Sequence, residues 1–264
     1  MSQADSRWKN LAVPDSCRPL LSIVTVVRNG EPFLEETISS VIAQKTEDVE
    51  YIIIDGASSD GTLAIIMKYE ENIDYWISEP DCGIYEAMNK GIKAAKGAFI
   101  GLLNSGDRYA KSALVLVLDE IRNMRNRDAM IAGGVAMHDK SEKIVATHMV
   151  DVNSLSNKFR FMPLNHPAMF VANSIYAEAG LYREDLKICS DYDLVLKLLD
   201  RKVEIRFIPE VLTEMRAGGI SDSPGSLLTR LHEGFQIRRQ YKGLGYSLII
   251  VARELMSFLY RLGR

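Results

Sequence analysis

Over its first 110 positions the chain alternates short, almost wholly apolar runs with amphipathic stretches. Leu20–Val27 and Val49–Ile54 are rich in β-branched residues with few polar interruptions, the pattern of strands buried on both faces. Ile73–Ile77 and Ala98–Leu103 have the same length and character. Between them, segments from Pro32 to about Gln44, from Leu63 to about Glu70 and from Ile84 to Ala95 read as helices. In the last, Ile84, Ala87, Met88, Ile92 and Ala95 make one apolar stripe, and Gly97 stands where a helix C-terminal glycine is expected. Short strands alternating with helices predict a parallel sheet with right-handed crossovers.

Each apolar run ends in a polar turn: Asn29-Gly30, the stretch Asp55 to Thr62, Ser78 to Gly83, and Asn104-Ser105-Gly106-Asp107. In open α/β sheets ligands sit at the carboxyl ends of the strands. The pattern therefore brings Asp107 to a site and puts Asp81 on the loop leading into it. Asp60 is the expected cap of the helix at Thr62.

The second half is less regular. Ala113–Met124 reads as a helix. Ala129–Met137 reads as a strand in which Gly133-Gly134 predicts a bulge or a close backbone approach. Lys143–Met149 suits an edge strand, Ala168–Val171 a short buried one, and Ile175–Ala179 a helical turn ended by Gly180. Ser190-Asp191-Tyr192-Asp193 opens a helix to about Asp200, with Ser190 and Asp193 at the spacing of a capping box. Val203–Ile208 is a strand that Glu210–Met215 either continues or pairs with. A flexible polar turn, Arg216 to Ser221, follows. From Ser226 the chain is helical and carries Arg230, Arg238, Arg239, Lys242, Arg253, Arg261 and Arg264 against Glu233 and Glu254.

Composition adds boundaries rather than detail. The 264 residues are 47% hydrophobic and 25% charged, as in an ordinary globular protein. They divide into an N-terminal arm (1–19), a main domain (20–222) and a basic amphipathic segment (223–264). A net charge of −3 gives no reason to expect nucleic acid. Cys17, Cys82 and Cys189 are odd in number and far apart, so they read as reduced thiols in a cytoplasmic protein rather than a disulfide framework or metal cluster. The N-terminus lacks an apolar signal core. Tyr246–Tyr260 is interrupted by Arg253 and Glu254 and falls short of the ~20 apolar residues a membrane span needs.

Taken together, the motifs resemble the family-two inverting glycosyltransferases of GT-A fold, and among them the bacterial enzymes of exopolysaccharide assembly, such as the colanic acid type. Four blocks carry the likeness in order: Leu21 to Asn29, Ile54 to Thr62, Ser78 to Gly91, and Leu103 to Asp107. Asn165-His166-Pro167 with Ser190 to Asp193 is similar to the acceptor half. The likeness covers about residues 20–220. It implies a Rossmann-like, mostly parallel sheet flanked by helices, with a nucleotide-sugar half (20–107), an acceptor half (108–222) and a helical C-terminal extension.

The resemblance also implies roles. Thr25, Asn29, Asp55 and Asp81 would contact the nucleoside of a sugar donor, uracil before guanine. Asp107, helped by Asn104, would hold the Mg²⁺ or Mn²⁺ that neutralises the diphosphate leaving group. The family's turn is often Asn-Ser-Asp-Asp; here Gly106 replaces one acid, leaving a single carboxylate. Asp191 would be the base that deprotonates the acceptor hydroxyl, and Asp193 a structural acid. His166 would meet the acceptor, a saccharide or lipid-linked saccharide, and Arg216 the diphosphate. A nucleotidyltransferase would need a Gly-rich, basic phosphate loop after the first strand, which Arg28-Asn29-Gly30-Glu31-Pro32 is not. A binding module without catalysis would keep Asp55 and Asp81 but have no need of Asp191. A dehydrogenase would show a Gly-x-Gly-x-x-Gly, which is absent. The basic tail either lies on an anionic inner membrane face, packs on the main domain, or makes a homodimer.

Overall fold

The computed structural model describes residues 19–150, 152–160, 162–218 and 224–262. Its first half is the predicted alternation: β1 (Leu21–Val27), α1 (Leu34–Ile42), β2 (Val49–Asp55), α2 (Thr62–Lys68), β3 (Tyr75–Ser78), α3 (Ile84–Ala94) and β4 (Phe99–Leu102). The strands lie side by side as β3-β2-β1-β4, all parallel. β1, β2 and β4 are buried along their whole length, which is why their sequences show no alternation.

α3 approaches the sheet closely because it carries Gly91. A Cβ there would run into Val24 Cγ1 and lie 3.3 Å from Ile54 Cγ1. Alanine is the better helix former by about 1 kcal/mol, yet Gly91→Ala is expected to destabilise the protein by about 1–3 kcal/mol through overpacking. Urea unfolding measures this; a stabilised variant would show that α3 does not need the close approach.

The second half contains β5 (Arg108–Tyr109), α4 (Ala113–Asn123), β6 (Ala129–His138), β7 (Ile144–His148), β8 (Met169–Ala172), α5 (Asn173–Ala179), α6 (Ser190–Asp200), β9 (Glu204–Arg216) and α7 (Leu227–Leu262). Here the sheet stops being parallel. β8 joins β4 antiparallel, β6 joins β8 antiparallel, β9 joins β6 parallel, and β5 closes on β9 antiparallel. The fold is thus an α/β GT-A-like fold with a mixed sheet. The expectation of a mostly parallel sheet holds for the first half and is corrected in the second.

β9 runs unbroken from Val203's neighbour to Arg216, so Glu210–Met215 continues the strand. Its pairing with β6 shifts register on both sides of Gly134. A Cβ on Gly133 would overlap the Leu212 side chain, and one on Gly134 would sit 3.1 Å from the Glu210 carbonyl. The glycine pair is therefore the bulge and close approach its sequence predicted. β7 pairs only β6 and is exposed, as an edge strand should be. One apolar core extends from Leu21 to Leu212, and a smaller cluster of Leu186, Cys189, Tyr192 and Leu196 closes on Ile237 of α7.

α7 is two helical segments broken at Gly243, whose φ of 76° lies in the left-handed region that favours glycine. The N-terminal arm to residue 18, residues 219–221 of the expected flexible turn with 222 and 223 after it, and the side chains of Leu259, Arg261 and Arg264 lie outside the described residues.

Candidate active site

Parallel pairing aligns the carboxyl ends of the first four strands. Val27 pairs with Asp55, and Asp55 with Ser78. Their turns share one edge, stitched by Gly56 N–H to the Val27 carbonyl (2.9 Å), Glu79 N–H to the Asp55 carbonyl (3.0 Å) and Ser105 N–H to the Val26 carbonyl (3.2 Å). Asp55 ends β2 fully buried. Its carboxylate accepts the hydroxyls of Ser58 and Ser78 (the latter 2.6 Å) and the Ser58 N–H (3.0 Å). These bonds explain how a charge is tolerated there. The Asp81 carboxylate comes against Gly56, the residue after Asp55: any Cβ on Gly56 would collide with it. The other Asp81 oxygen accepts the Gly83 N–H at 3.0 Å.

Asn29 lies on the same edge, with φ of 52°. Its side-chain oxygen accepts the Ser59 N–H (2.9 Å) and its own N–H donates to the Ser58 hydroxyl (2.7 Å), tying the β1 turn to the β2 turn. The N-cap of α2 is Gly61 rather than the expected Asp60, but Asp60, one residue earlier, accepts the N–H (3.0 Å) and hydroxyl (2.5 Å) of Thr62, the first helical residue. Thr25 is not brought to the edge. It is fully buried within β1, and its hydroxyl meets that of Tyr51 at 3.1 Å.

The Asn104–Asp107 turn leaves β4 two strands from Asp55. Gly106 takes φ of 100°, and Thr37 of α1 pins the turn, accepting the Gly106 N–H (3.0 Å) and donating to the Asp107 carbonyl (2.7 Å). Asp107 is buried, and burial pushes its carboxyl up to about 7, opposed only by a backbone hydrogen bond from Arg216. Asn104 Oδ1 is buried with no hydrogen-bond partner among the described residues. Two oxygen donors therefore flank this turn, one costly to ionise and one unsatisfied. That suits a hard divalent cation, which takes oxygen ligands, few carboxylates and several waters. Among the described residues no group of three or more His, Cys, Asp or Glu could hold a metal by itself.

Arg216 ends β9 beside this turn. Its guanidinium is held by Glu36 (2.5 Å) and Glu142 (2.8 Å) and lies 5.2 Å from the Phe33 ring centre. Arg108 shares both acids and adds Glu214 at 2.6 Å.

Asp191 is in the first turn of α6. Its Oδ1 accepts the Tyr192 N–H at 2.7 Å. Burial raises its pKa, against the opposing effects of His166, backbone N–H groups and the Tyr85 hydroxyl. Desolvation thus outweighs those hydrogen bonds and the neighbouring imidazole. His166 is buried beside Asp191, its Nε2 2.7 Å from the Tyr182 hydroxyl, and burial lowers its pKa. Tyr182 in turn stacks on Tyr85 of α3, ring centres 5.7 Å apart. The Tyr85 hydroxyl donates to the Ile188 carbonyl at 2.5 Å, tying the loop before Asp191 to the N-terminus of α3, directly after the Asp81 loop.

The expected capping box does not form. α6 begins at Ser190 with Cys189 as its N-cap, and no side chain caps it. Asp193 is instead buried against Lys197 (2.7 Å) and Arg183 (3.8 Å). Glu233 of α7 takes over the loop before the helix, accepting the N–H groups of Lys187 (2.7 Å), Ile188 (3.0 Å) and Cys189 (2.9 Å).

Sequence reasoning missed Tyr85, Tyr182, Asn89 and Glu233. Asn89 clamps Tyr182 by donating to its carbonyl (2.9 Å) and accepting its N–H (3.0 Å). Asn89 breaks the apolar stripe of α3, and Glu233 is an acid in a basic segment. Each runs against its local trend, and that is the signal a sequence offers for a buried polar role.

Residues 22–186 match glycosyl transferase family 2. An uncharacterised glycosyltransferase of Rickettsia typhi is 29% identical over 205 residues, 75% of this chain and 64% of that protein. The chain thus matches just under two thirds of that relative's length. An uncharacterised glycosyltransferase of Mycobacterium tuberculosis H37Rv is 29% identical over 84% of this chain and 86% of its own. The putative teichuronic acid biosynthesis glycosyltransferase TuaG of Bacillus subtilis is 35% identical over 37% of this chain and 40% of its own. Among solved structures, S. aureus TarS 1–349 in complex with UDP-GlcNAc superposes with a TM-score of 0.63 at 16% identity, over 89% of this chain and 71% of that one. The Pyrobaculum calidifontis mannosyltransferase PcManGT, in complex with GDP-Man and Mn²⁺, gives 0.61 at 14% identity, over 91% and 75%.

Proposed function

The chain belongs to glycosyl transferase family 2, and we propose that it moves a sugar from a UDP-sugar donor to a hydroxyl of a saccharide or lipid-linked saccharide, with inversion, in bacterial surface polysaccharide synthesis. The observation that carries this reading is the Asp81 carboxylate set against Gly56, next in the chain to the buried Asp55, on the same sheet edge as the buried Asp107. Uracil is favoured because the structural neighbour TarS is known with UDP-GlcNAc and UDP. The likeness to TuaG, a putative teichuronic acid biosynthesis enzyme, points to a surface polymer.

In this mechanism Asp55 and Asp81 accept hydrogen bonds from the nucleoside. Asn29 keeps the β1 and β2 turns together around it, and Thr25 supports β1 from within the core. Asp191 takes the proton from the acceptor hydroxyl as the oxygen attacks the anomeric carbon. Its raised pKa makes it a stronger base than an ordinary carboxylate. His166, buried between Asp191 and Tyr182, holds that side of the acceptor pocket. Asp107 and Asn104 would hold a Mg²⁺ or Mn²⁺ ion, which when bound offsets negative charge on the diphosphate leaving group. The Arg216 guanidinium is the adjacent positive charge for that group.

Calorimetry with UDP and GDP, each with and without Mn²⁺, tests the donor site. UDP is expected to bind, and Mn²⁺ to strengthen it by about tenfold or more, a gain of ~1.4 kcal/mol that Asp107→Asn abolishes. If neither diphosphate binds wild type, the donor reading is wrong.

A further inference from the structure

The two segments of α7 fold back on each other at Gly243. In a straight helix, residues sixteen apart lie about 24 Å from one another, yet Arg238 and Glu254 form an ion pair at 2.7 Å. On the second segment, Ser247, Ile250 and Glu254 recur at helical spacing, and Ser247 and Ile250 are buried. That is the face packed on the protein. Leu244, Leu248, Leu255 and Met256 occupy the opposite face with Ile249 at its border, and all are exposed, Leu248 by 53%, Ile249 by 59% and Met256 by 62%. A water-facing helix normally puts polar residues there; this one puts its apolar residues there.

The free charges in this part of the chain have one sign. Arg253 on the second segment and Arg239 and Lys242 at the end of the first are exposed, with Lys242 Nζ 4.8 Å from the Phe159 ring centre, and the sole acid among residues 239–256 is Glu254, which is tied to Arg238. A second copy of the chain would fit poorly. A two-fold contact sets the same patch against itself, bringing these cations together with no exposed acid in the segment to pair them, and like charges facing across an interface are costly. No described helix is long and apolar enough to cross a membrane. An apolar strip with a basic rim on a helix too polar to span is the arrangement of a helix lying in a bilayer interface. We propose that the second segment of α7 docks on the surface of an anionic phospholipid bilayer, its leucine face among the acyl chains and Arg239, Lys242 and Arg253 at the headgroups. The first segment carries Glu233, which holds the loop before Asp191, so the same element connects the docked surface to the catalytic side of the molecule.

Flotation of the full chain with vesicles tests this. The protein is expected to float with mixed phosphatidylcholine–phosphatidylglycerol vesicles, less so as salt rises, and to stay unbound with phosphatidylcholine alone. The double variant Leu248→Glu/Ile249→Glu, at two exposed positions, should keep the wild-type circular dichroism spectrum and lose flotation. Lys242→Glu and Arg253→Glu should each weaken it by about fivefold or more, since each cation near such a surface contributes ~1 kcal/mol. Wild type that stays unbound with anionic vesicles overturns the proposal. So does a dimer in sedimentation velocity that the double variant dissolves, which would assign the face to a second copy. UDP calorimetry run on the same samples keeps this outcome separate from that of the donor reading.

Discussion

Asp191→Asn is expected to lower sugar transfer by about a hundred- to ten-thousandfold, the usual contribution of a positioned base, while UDP affinity is unchanged. UDP release from UDP-sugars in the presence of saccharide acceptors measures the first, and calorimetry the second. The substitution keeps the shape of a group packed beside His166 and Tyr85 and removes only its capacity to take a proton. Burial raises the Asp191 pKa, so the wild-type rate should climb with pH through a value above that of an ordinary aspartate. The sign for stability is opposite. The folded state holds this proton more tightly than the unfolded state, so the group's contribution is greatest at low pH and is lost as pH rises through the raised pKa. Asparagine carries no charge to bury. The variant should therefore unfold at a denaturant concentration equal to or above that of wild type at neutral pH. Near-normal transfer by folded Asp191→Asn would remove Asp191 from the mechanism.

Glu233→Ala is expected to destabilise the protein by about 3 kcal/mol or more, because three backbone N–H groups lose a charged acceptor at once. In a chain of this size that corresponds to a fall in Tm of about 6–12 °C. Glu233 is buried and far in sequence from the loop it holds, so no neighbouring side chain replaces it. The loop from Lys187 to Cys189 leads straight into Asp191, so transfer should fall further than nucleotide binding. Asp55 and Asp81 stand on other elements, and their pocket should survive. A thermal midpoint within a degree or so of wild type would mean that the three bonds are not made in solution.

The first half of the fold was legible because burial on both faces writes itself into composition. β1, β2 and β4 have no polar alternation to confuse, and their turns are marked by Gly, Asn and Asp. The bulge at Gly133-Gly134 was legible for a related reason: only a residue without a side chain fits against Leu212 and the Glu210 carbonyl. β5 is two residues long and has no period to read. Whether the later strands pair parallel or antiparallel depends on partners far along the chain, which no local pattern encodes.

The chain's own order of residues determined which acids could reach the carboxyl edge of the sheet, since a strand that ends at Asp55 or a turn that holds Asp107 must deliver it there. Tertiary structure alone decided what those acids experience. It placed Asp81 over Gly56, withdrew Thr25 into the core against Tyr51, and closed Glu36 and Glu142 around Arg216. It also left α6 without the capping box of Ser190 and Asp193 and gave the loop before it to the distant Glu233. The physical reason is that hydrogen bonds and desolvation act over a few ångströms of space, and the partners that set them are tens of residues away in sequence.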